Sequence, residues 1–463
     1  MNKLVYALPL TLLSGACSLA PAYVQPELPV AQSWPRGDAY LAQSEAALPS
    51  YSYTDVFKDE RLRTLVAQAL ANNRDLRIAA ANLAEARAQV RVTRAAQFPQ
   101  IAVGGSAGTD DSGNQNYALQ GGISAFELDL FGKLRNATAV QRDTALASEA
   151  SARSVRLGLV SDLASAWATY AADKDLLAIA QDTAASAQRS VGLTKLRLDG
   201  GVAPRTDLRQ AEQVLATAQG DLAQQQAALA EDQNLMRLLV GAEIDPALLP
   251  GGLSEVLASV ETLPAGTSSD VLLRRPDVVE AEYQLRAANA DIGVARAQLF
   301  PTISLTGLLG FASDALGSLF TGGAFAATAG ADASYAIFDG GAARGNVAIS
   351  EARKNAALAT YEKAIQTAFR EVSDALATHG TIADRQKAAA ENTEAASDTA
   401  TLSDARYRGG IDSFLSSLDA QRSLYSARQQ EVAITLIAVQ NRITLYRVLG
   451  GDRELSGAKA SGN

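Results

Sequence analysis

A single histidine, His379, and a single cysteine, Cys17, are the only imidazole and the only thiol in the 463-residue chain. A zinc centre of the His/Cys kind needs three or four converging ligands, so that chemistry is excluded, and no metal ligand and no cofactor is expected. Nucleophilic catalysis is no better supplied, because no nucleophile, base and orienting group recur in a recognisable arrangement. An enzyme is therefore the least favoured class. His379 falls on a long helical stretch and reads as an incidental surface residue rather than a proton switch.

Cys17 offers a different chemistry. Lys3 precedes an apolar stretch, residues 4–13, and the small residues Ser14, Gly15 and Ala16 lead into Cys17. A bilayer-spanning helix takes ~20 apolar residues, so this shorter stretch reads as a signal peptide, residues 1–16. The string Leu13-Ser14-Gly15-Ala16-Cys17 resembles a bacterial lipoprotein signal, with the Leu one place earlier than in the commonest form. That resemblance makes Cys17 the lipidated first residue of the mature chain; ordinary cleavage after a small residue is the alternative. Ser18, rather than Asp, follows the cysteine, which by the same resemblance suggests outer-membrane delivery. No other long apolar run is evident, so any membrane crossing must use strands.

The elements that carry these residues are mostly helical. Alanine is abundant throughout, and it loses no side-chain entropy on entering a helix. Charged residues make up 20% and the net charge is −9, whereas a nucleic-acid face would be basic; no nucleic-acid partner is expected. The chain also repeats itself. Ala95-Ala96-Gln97-Phe98-Pro99 returns as Ala297-Gln298-Leu299-Phe300-Pro301, and Leu130-Phe131-Gly132 returns as Ile337-Phe338-Asp339-Gly340. Leu196-Arg197-Leu198-Asp199-Gly200-Gly201-Val202 returns as Arg406-Tyr407-Arg408-Gly409-Gly410-Ile411, and Val240-Gly241 matches Leu449-Gly450. Landmarks kept in one order argue for two copies of one unit.

Each unit reads helix, strand, loop, strand, very long helix, Gly turn, helix. The first helix is expected over residues 55–97, where Pro99 stops it. The long helices are expected to run from Gly132 to about Leu198 and from Gly341 to about Tyr407, on the order of 100 Å each at ~1.5 Å per residue. Leu208, Leu215, Leu222, Leu229 and Met236 fall at steps of seven, as do Leu418, Tyr425, Val432, Val439 and Tyr446, which is coiled-coil spacing. The strands show period-two patterning. Ile303, Leu305, Gly307, Leu309 and Phe311 form one alternating set, and Phe325 through Ile337 another. In the first unit the sets are Ile101, Val103, Gly105, Ala107 and Tyr117, Leu119, Gly121, Ile123, Ala125. A tilted membrane strand needs ~9–11 residues of this kind. Four strands cannot close a barrel in lipid, and an open edge leaves unpaired backbone groups, so other subunits or other protein must complete the wall. The loops 108–116 and 312–323 are polar or Gly-rich, as exposed tips should be.

These landmarks resemble the outer-membrane factor family of the TolC superfamily, and most closely its OprM/NodT-type efflux lipoproteins. The resemblance covers essentially the whole mature chain. It is carried by Leu272-Leu273-Arg274-Arg275-Pro276-Asp277-Val278, Ala287-Ala288-Asn289-Ala290-Asp291-Ile292-Gly293, Phe126-Glu127-Leu128-Asp129-Leu130-Phe131-Gly132, Phe300-Pro301, Phe338-Asp339-Gly340-Gly341 and Leu418-Asp419-Ala420-Gln421-Arg422. Ala336 departs from it, standing where a Pro is expected before the Phe-Asp-Gly element.

The resemblance implies an α+β membrane protein: a homotrimer sharing a 12-stranded β-barrel of four strands per chain, continued by an antiparallel helical coiled-coil barrel with an equatorial belt. The implied organisation is a lipidated segment 17–54, a first repeat 55–241, an equatorial linker 242–270, a second repeat 271–451 and a tail 452–463. The implied partners are outer-membrane lipid, a periplasmic adaptor and an inner-membrane pump, usually of the resistance-nodulation-division type. The implied role is passive conduction of small molecules from pump and adaptor to the exterior. The duct of a one-step (type I) protein secretion system is the alternative within this architecture. A structural coiled-coil lipoprotein is the alternative outside it, and it leaves the strands unexplained.

By the same resemblance the periplasmic end closes near the second Gly turn, at Tyr407, Gly409, Gly410, Asp412, Leu415, Asp419 and Arg422. Asp419 and Arg422 share a helix face, and rings of three could constrict a duct while a Leu415 ring excludes water. The competing reading is a solvated surface pair worth ~0–1 kcal/mol. The first unit carries Gln210 and Gln213 there, or Arg209 and Glu212 if the alignment slips by one. Gly200-Gly201 and Gly409-Gly410 read as backbone turns between antiparallel helices, and these tips are where the adaptor would dock. Arg274-Arg275-Pro276-Asp277 reads as a helix start with no ligand.

Overall fold

The computed structural model describes residues 18–31, 52–262 and 269–450. Cys17, the expected signal peptide 1–16 and the tail 452–463 lie outside the described residues. The chain divides into one unit of Met1–Glu27, Ala80–Ala150 and Val279–Ala364, and another of Leu28–Ala79, Ser151–Val278 and Ile365–Asn463.

The first unit holds the sheet. Strands β1 (Ile101–Thr109), β2 (Gln115–Glu127), β3 (Thr302–Ser313) and β4 (Phe325–Ser334) pair antiparallel in the order β1-β2-β3-β4. The register puts Val103 opposite Gly121, Gly121 opposite Leu309, and Leu309 opposite Ala327. Directly opposed residues share a face, so the alternating apolar sets of both hairpins fall on one side. Ser106, Gln120, Thr302, Ser304, Thr306, Thr328 and Asp332 fall on the other. Among the described residues nothing covers the apolar face, and Ile101, Val103, Leu309 and Phe325 are all exposed.

Two expectations need correction here. The register shifts between Ile123 and Phe126, and Ala125 takes φ 55°. One extra residue in β2 is a β-bulge; it removes Ala125 from the alternation and returns Phe126 to the apolar face opposite Leu305. Strand β4 ends at Ser334, so Tyr335 and Ile337 lie beyond it. The connecting loops are accordingly 110–114 and 314–324.

A segment that begins at Ser18 is pinned in the same unit. Ser18 Oγ donates to Asn136 Oδ1 at 2.9 Å, Asn289 Nδ2 donates to the Pro21 carbonyl at 2.8 Å, and the Arg286 guanidinium lies 4.9 Å from the Tyr23 ring centroid. Gly293 allows this approach, because a Cβ there would stand 2.8 Å from the backbone nitrogen of Ala20.

The helix expected over residues 55–97 is three helices: α1 (Tyr53–Val56), α2 (Glu60–Asn72) and α3 (Arg74–Ala95). Phe57 turns extended to bridge Val260, and Asp59 caps α2. Buried Asn73 ends α2; its Oδ1 accepts from the N–H groups of Asp75 and Leu76, and its Nδ2 donates to the Leu239 carbonyl. Side-chain caps of this kind satisfy orphan helix donors, and periodicity alone does not register them.

The remaining long helices are α4 (Lys133–Asp199), α5 (Arg205–Val240), α7 (Pro276–Ala297), α8 (Ala342–Arg408) and α9 (Phe414–Leu449), with the short α6 (Leu253–Ser259) before α7. Helices α4 and α8 have 67 residues each, and α5 and α9 have 36 each. Gly241 and Gly450 close α5 and α9 in the left-handed conformation, at φ 72° and 67°. Helix α9 is long and apolar enough by composition to cross a membrane, against the expectation that no further apolar run exists. Half of its apolar window is buried inside the protein, as in a core helix.

In the second unit Pro276 opens α7, and Arg275 is buried beside it. Arg275 pairs with Asp277 at 2.7 Å and Glu371 at 2.8 Å, and donates to the Val448 carbonyl at 3.1 Å. His379 is half-buried rather than on the surface; burial, then the Arg442 charge, lowers its pKa.

Candidate functional site

The expected gate and docking residues lie at two helical turns of the second unit. At the first, Gly200 N–H donates to the Leu196 carbonyl at 3.0 Å, Gly201 N–H to Leu198 at 2.9 Å and Val202 N–H to Arg197 at 2.9 Å. At the second, Gly409 N–H donates to Ala405 at 3.0 Å, Gly410 N–H to Tyr407 at 3.0 Å and Ile411 N–H to Arg406 at 2.9 Å. Gly201 and Gly410 both have φ 73°. This is the Schellman closure, which needs a left-handed residue after the helix. Val202 and Ile411 follow directly and project into solvent, 69% and 68% exposed.

Matching the two positive-φ glycines sets Arg197 beside Arg406, and Ala203 beside Asp412. Arg406 grips Asp412 with both ends of its guanidinium, at 2.6 and 2.9 Å, and this hydrogen bonding holds the Asp412 carboxyl below the usual range. Ala203 gives Arg197 no such carboxylate. Arg197 instead crosses to the other turn, where its Nη1 donates to the Tyr407 carbonyl at 2.9 Å and its guanidinium sits 4.7 Å from the Tyr407 ring centroid. A guanidinium over an aromatic face adds cation–π attraction to the hydrogen bond.

Tyr407 is only 5% exposed and packs with Phe414, Leu418 and Ala211, its ring 5.4 Å from that of Phe414. Its hydroxyl is buried without a hydrogen-bond partner. The seven expected gate residues are therefore divided within the chain. Tyr407 belongs to the core beneath the turns, Asp412 to the turn's own ion pair, and Gly409 and Gly410 to its backbone. Leu415, Asp419 and Arg422 are exposed on successive turns of α9, and no ion pair joins Asp419 to Arg422 within the chain. At the counterpart position in the first sequence repeat, Arg209 and Glu212 pair with each other at 2.5 Å.

Arg197 and Phe414 did not stand out in the sequence reading. Their signal was available in the comparison of the two turns, where one arginine keeps a carboxylate six residues on and the other has lost it. Beside Arg422, a cavity of about 490 Å³ opens between α4, α5 and α9. Tyr425 lines it, and burial together with the facing Asp221 pushes its phenol pKa up.

No His, Cys, Asp and Glu group suited to a metal ion occurs among the described residues. The arrangement consists of two closed turns, a core that ties them, and an exposed row of Leu, Asp and Arg.

The chain matches the family model described as outer membrane efflux protein over residues 65–242 and 267–451. It is 39% identical to the probable efflux pump outer membrane protein TtgC of Pseudomonas putida, over 97% of this chain and 96% of that one. It is 37% identical to outer membrane protein OprJ of Pseudomonas aeruginosa, over 96% and 95% of the two chains. Among solved structures, the open state of the Neisseria gonorrhoeae MtrE outer membrane channel superposes with a TM-score of 0.82 at 31% identity, covering 94% of this chain and 98% of that one. A family model spanning most of the chain, and relatives matched end to end, leave one assignment: the chain belongs to the outer membrane efflux protein family.

Proposed function

We infer that this protein is the outer-membrane channel of an efflux system and passively conducts small molecules outward. The sheet is the observation that carries this reading. Among the described residues, strands β1 and β4 each have one partner, so each leaves an open edge, while the sheet's apolar side lies bare and its other side is polar. Lipid admits only closed sheets. Three copies, joining β4 of one to β1 of the next, supply twelve strands to a barrel with an apolar exterior and a polar lumen. Relatives named as efflux pump components support export of small compounds over the protein-secretion alternative. An adaptor and an inner-membrane pump, of the resistance-nodulation-division type that the resemblance implies, complete the assembly.

Within that reading, Leu415, Asp419 and Arg422 form the gate ring, and Tyr407 and Asp412 hold its turn in shape. Exposed Val202 and Ile411, on turns of matching geometry, suit docking of an adaptor. Ser18 is held on Asn136 near the start of α4, and lipidation of Cys17, the residue before it in sequence, suits a membrane anchor. The deciding experiment is mass measurement of the purified protein in mild detergent together with conductance in planar bilayers. A trimer that conducts supports the reading; a monomer that is electrically silent sinks it.

A further inference from the structure

Beside Arg422, α4, α5 and α9 of the second unit border a cavity of about 490 Å³, within the ~300–1,000 Å³ of small-molecule sites. Small seam residues leave this space open. Ala187 on α4 and Ala218 on α5 line the cavity and are buried, at positions where a coiled coil packs larger knobs. Leu418 is buried in its wall on α9, and Val214 lines it from α5. Both belong to the apolar cluster of Tyr407 and Phe414 beneath the turns. The ring of Tyr425 completes an apolar middle.

Charge is distributed unevenly around that middle. Arg189, Arg422 and Arg428 line the cavity, and among the described residues none of the three has an ion pair. Asp182 and Asp221 line it too. Helix α4 runs toward its turn at Gly201 and α5 runs away from it. Arg189 and Val214 therefore lie about two helical turns, ~10 Å, nearer the Gly turns than Asp182 and Asp221. Helix α9 runs away from Gly410, which places Leu418 and Arg422 at that same end and Arg428 at the other. The end nearer the Gly turns thus presents two guanidinium groups and no lining carboxylate. The far end carries Arg428 with both carboxylates.

We propose that this cavity binds a small aromatic carboxylate. The unpaired guanidinium groups of Arg189 and Arg422 hold its carboxylate by charge-assisted hydrogen bonds, and its ring system lies on Val214, Ala218, Leu418 and the Tyr425 ring. Asp182 and Asp221 repel an anion at the far end, so the head group points toward the Gly turns. A cation is disfavoured beside two arginines, and inorganic phosphate leaves the apolar middle in water. Bound ligand occupies Arg422 within its own chain, withholds it from partners in other copies and so favours the open duct. That consequence rests on the gate ring proposed above; the binding site does not.

The test titrates 2-naphthoate into the full-length protein in non-ionic detergent by isothermal calorimetry, with the heat of detergent alone subtracted. One saturable site per chain is expected. The uncharged analogue 2-naphthalenemethanol is expected to bind at least tenfold more weakly, as is 2-naphthoate to the double variant Arg189→Ala with Arg422→Ala. Ala218→Leu fills the cavity and is expected to abolish binding. Both arginines are exposed, so the double variant serves should the leucine variant misfold. No saturable binding, equal affinity for the uncharged analogue, or wild-type affinity in the double variant overturns the site. In planar bilayers 2-naphthoate is expected to raise the open probability of the wild type and not of Arg189→Ala. Binding without that rise overturns the link to the gate, while the calorimetry upholds the site.

Discussion

The Arg197 guanidinium lies over the ring of Tyr407 and donates to its backbone carbonyl, joining the end of α4 to the end of α8. One side chain thereby ties the two helical turns of a chain together. A hydrogen bond and a cation–π contact together are worth about 1–2 kcal/mol. Arg197→Ala is expected to shift the closed-to-open ratio on the order of tenfold toward open, since ~1.4 kcal/mol is a factor of ten. Single-channel recording measures this; wild-type open probability in the variant removes Arg197 from gating.

Asp419 and Arg422 are exposed on α9 and make no pair with each other in one chain; in the proposed gate ring their partners come from other copies. Removing both, as Asp419→Ala with Arg422→Ala, is expected to raise single-channel conductance in planar bilayers. Unchanged conductance would refute the gate.

The two glycines of the second turn make unequal demands. Gly410 has φ 73°, and Gly409 lies outside the positive-φ region. Left-handed backbone costs an L-residue ~1–2 kcal/mol. Gly410→Ala is expected to lower the thermal midpoint, while Gly409→Ala leaves it near wild type. Equal effects from the two variants would contradict the turn geometry.

Arg275 is buried between Asp277, Glu371 and the Val448 carbonyl. Its removal strands carboxylates and a carbonyl, and breaking a buried pair in this way costs ~3–5 kcal/mol. Arg275→Ala is expected to destabilise the second unit by that order in denaturant titration. Replacing Arg422, which is exposed, tests the contrast and is expected to change stability little.

Much of the architecture was readable without coordinates because it rests on periodicity. Seven-residue steps marked α5 and α9, period-two sets marked the strands, and Gly turns marked where helices reverse; each reflects which side of an element must avoid water. The break at Asn73 was not readable, since it depends on a side chain meeting the carbonyl of Leu239, distant in sequence. The bulge at Ala125 was hidden for a similar reason, because only pairing with β3 reveals the extra residue.

The gate set shows the same division. Residue type and spacing brought Tyr407, Asp412, Leu415, Asp419 and Arg422 to notice together, yet burial sorted Tyr407 into the core and left Leu415 at 53% exposure. Arg197 acquired its role from a partner 210 residues away. By itself, the amino-acid order determined the helices, the two-faced strands, the turns and the poverty of catalytic groups, because those follow from local propensity and pattern. Tertiary structure decided which charges found partners, which aromatic ring was buried and which helices border a cavity, because these depend on groups that only folding brings within reach.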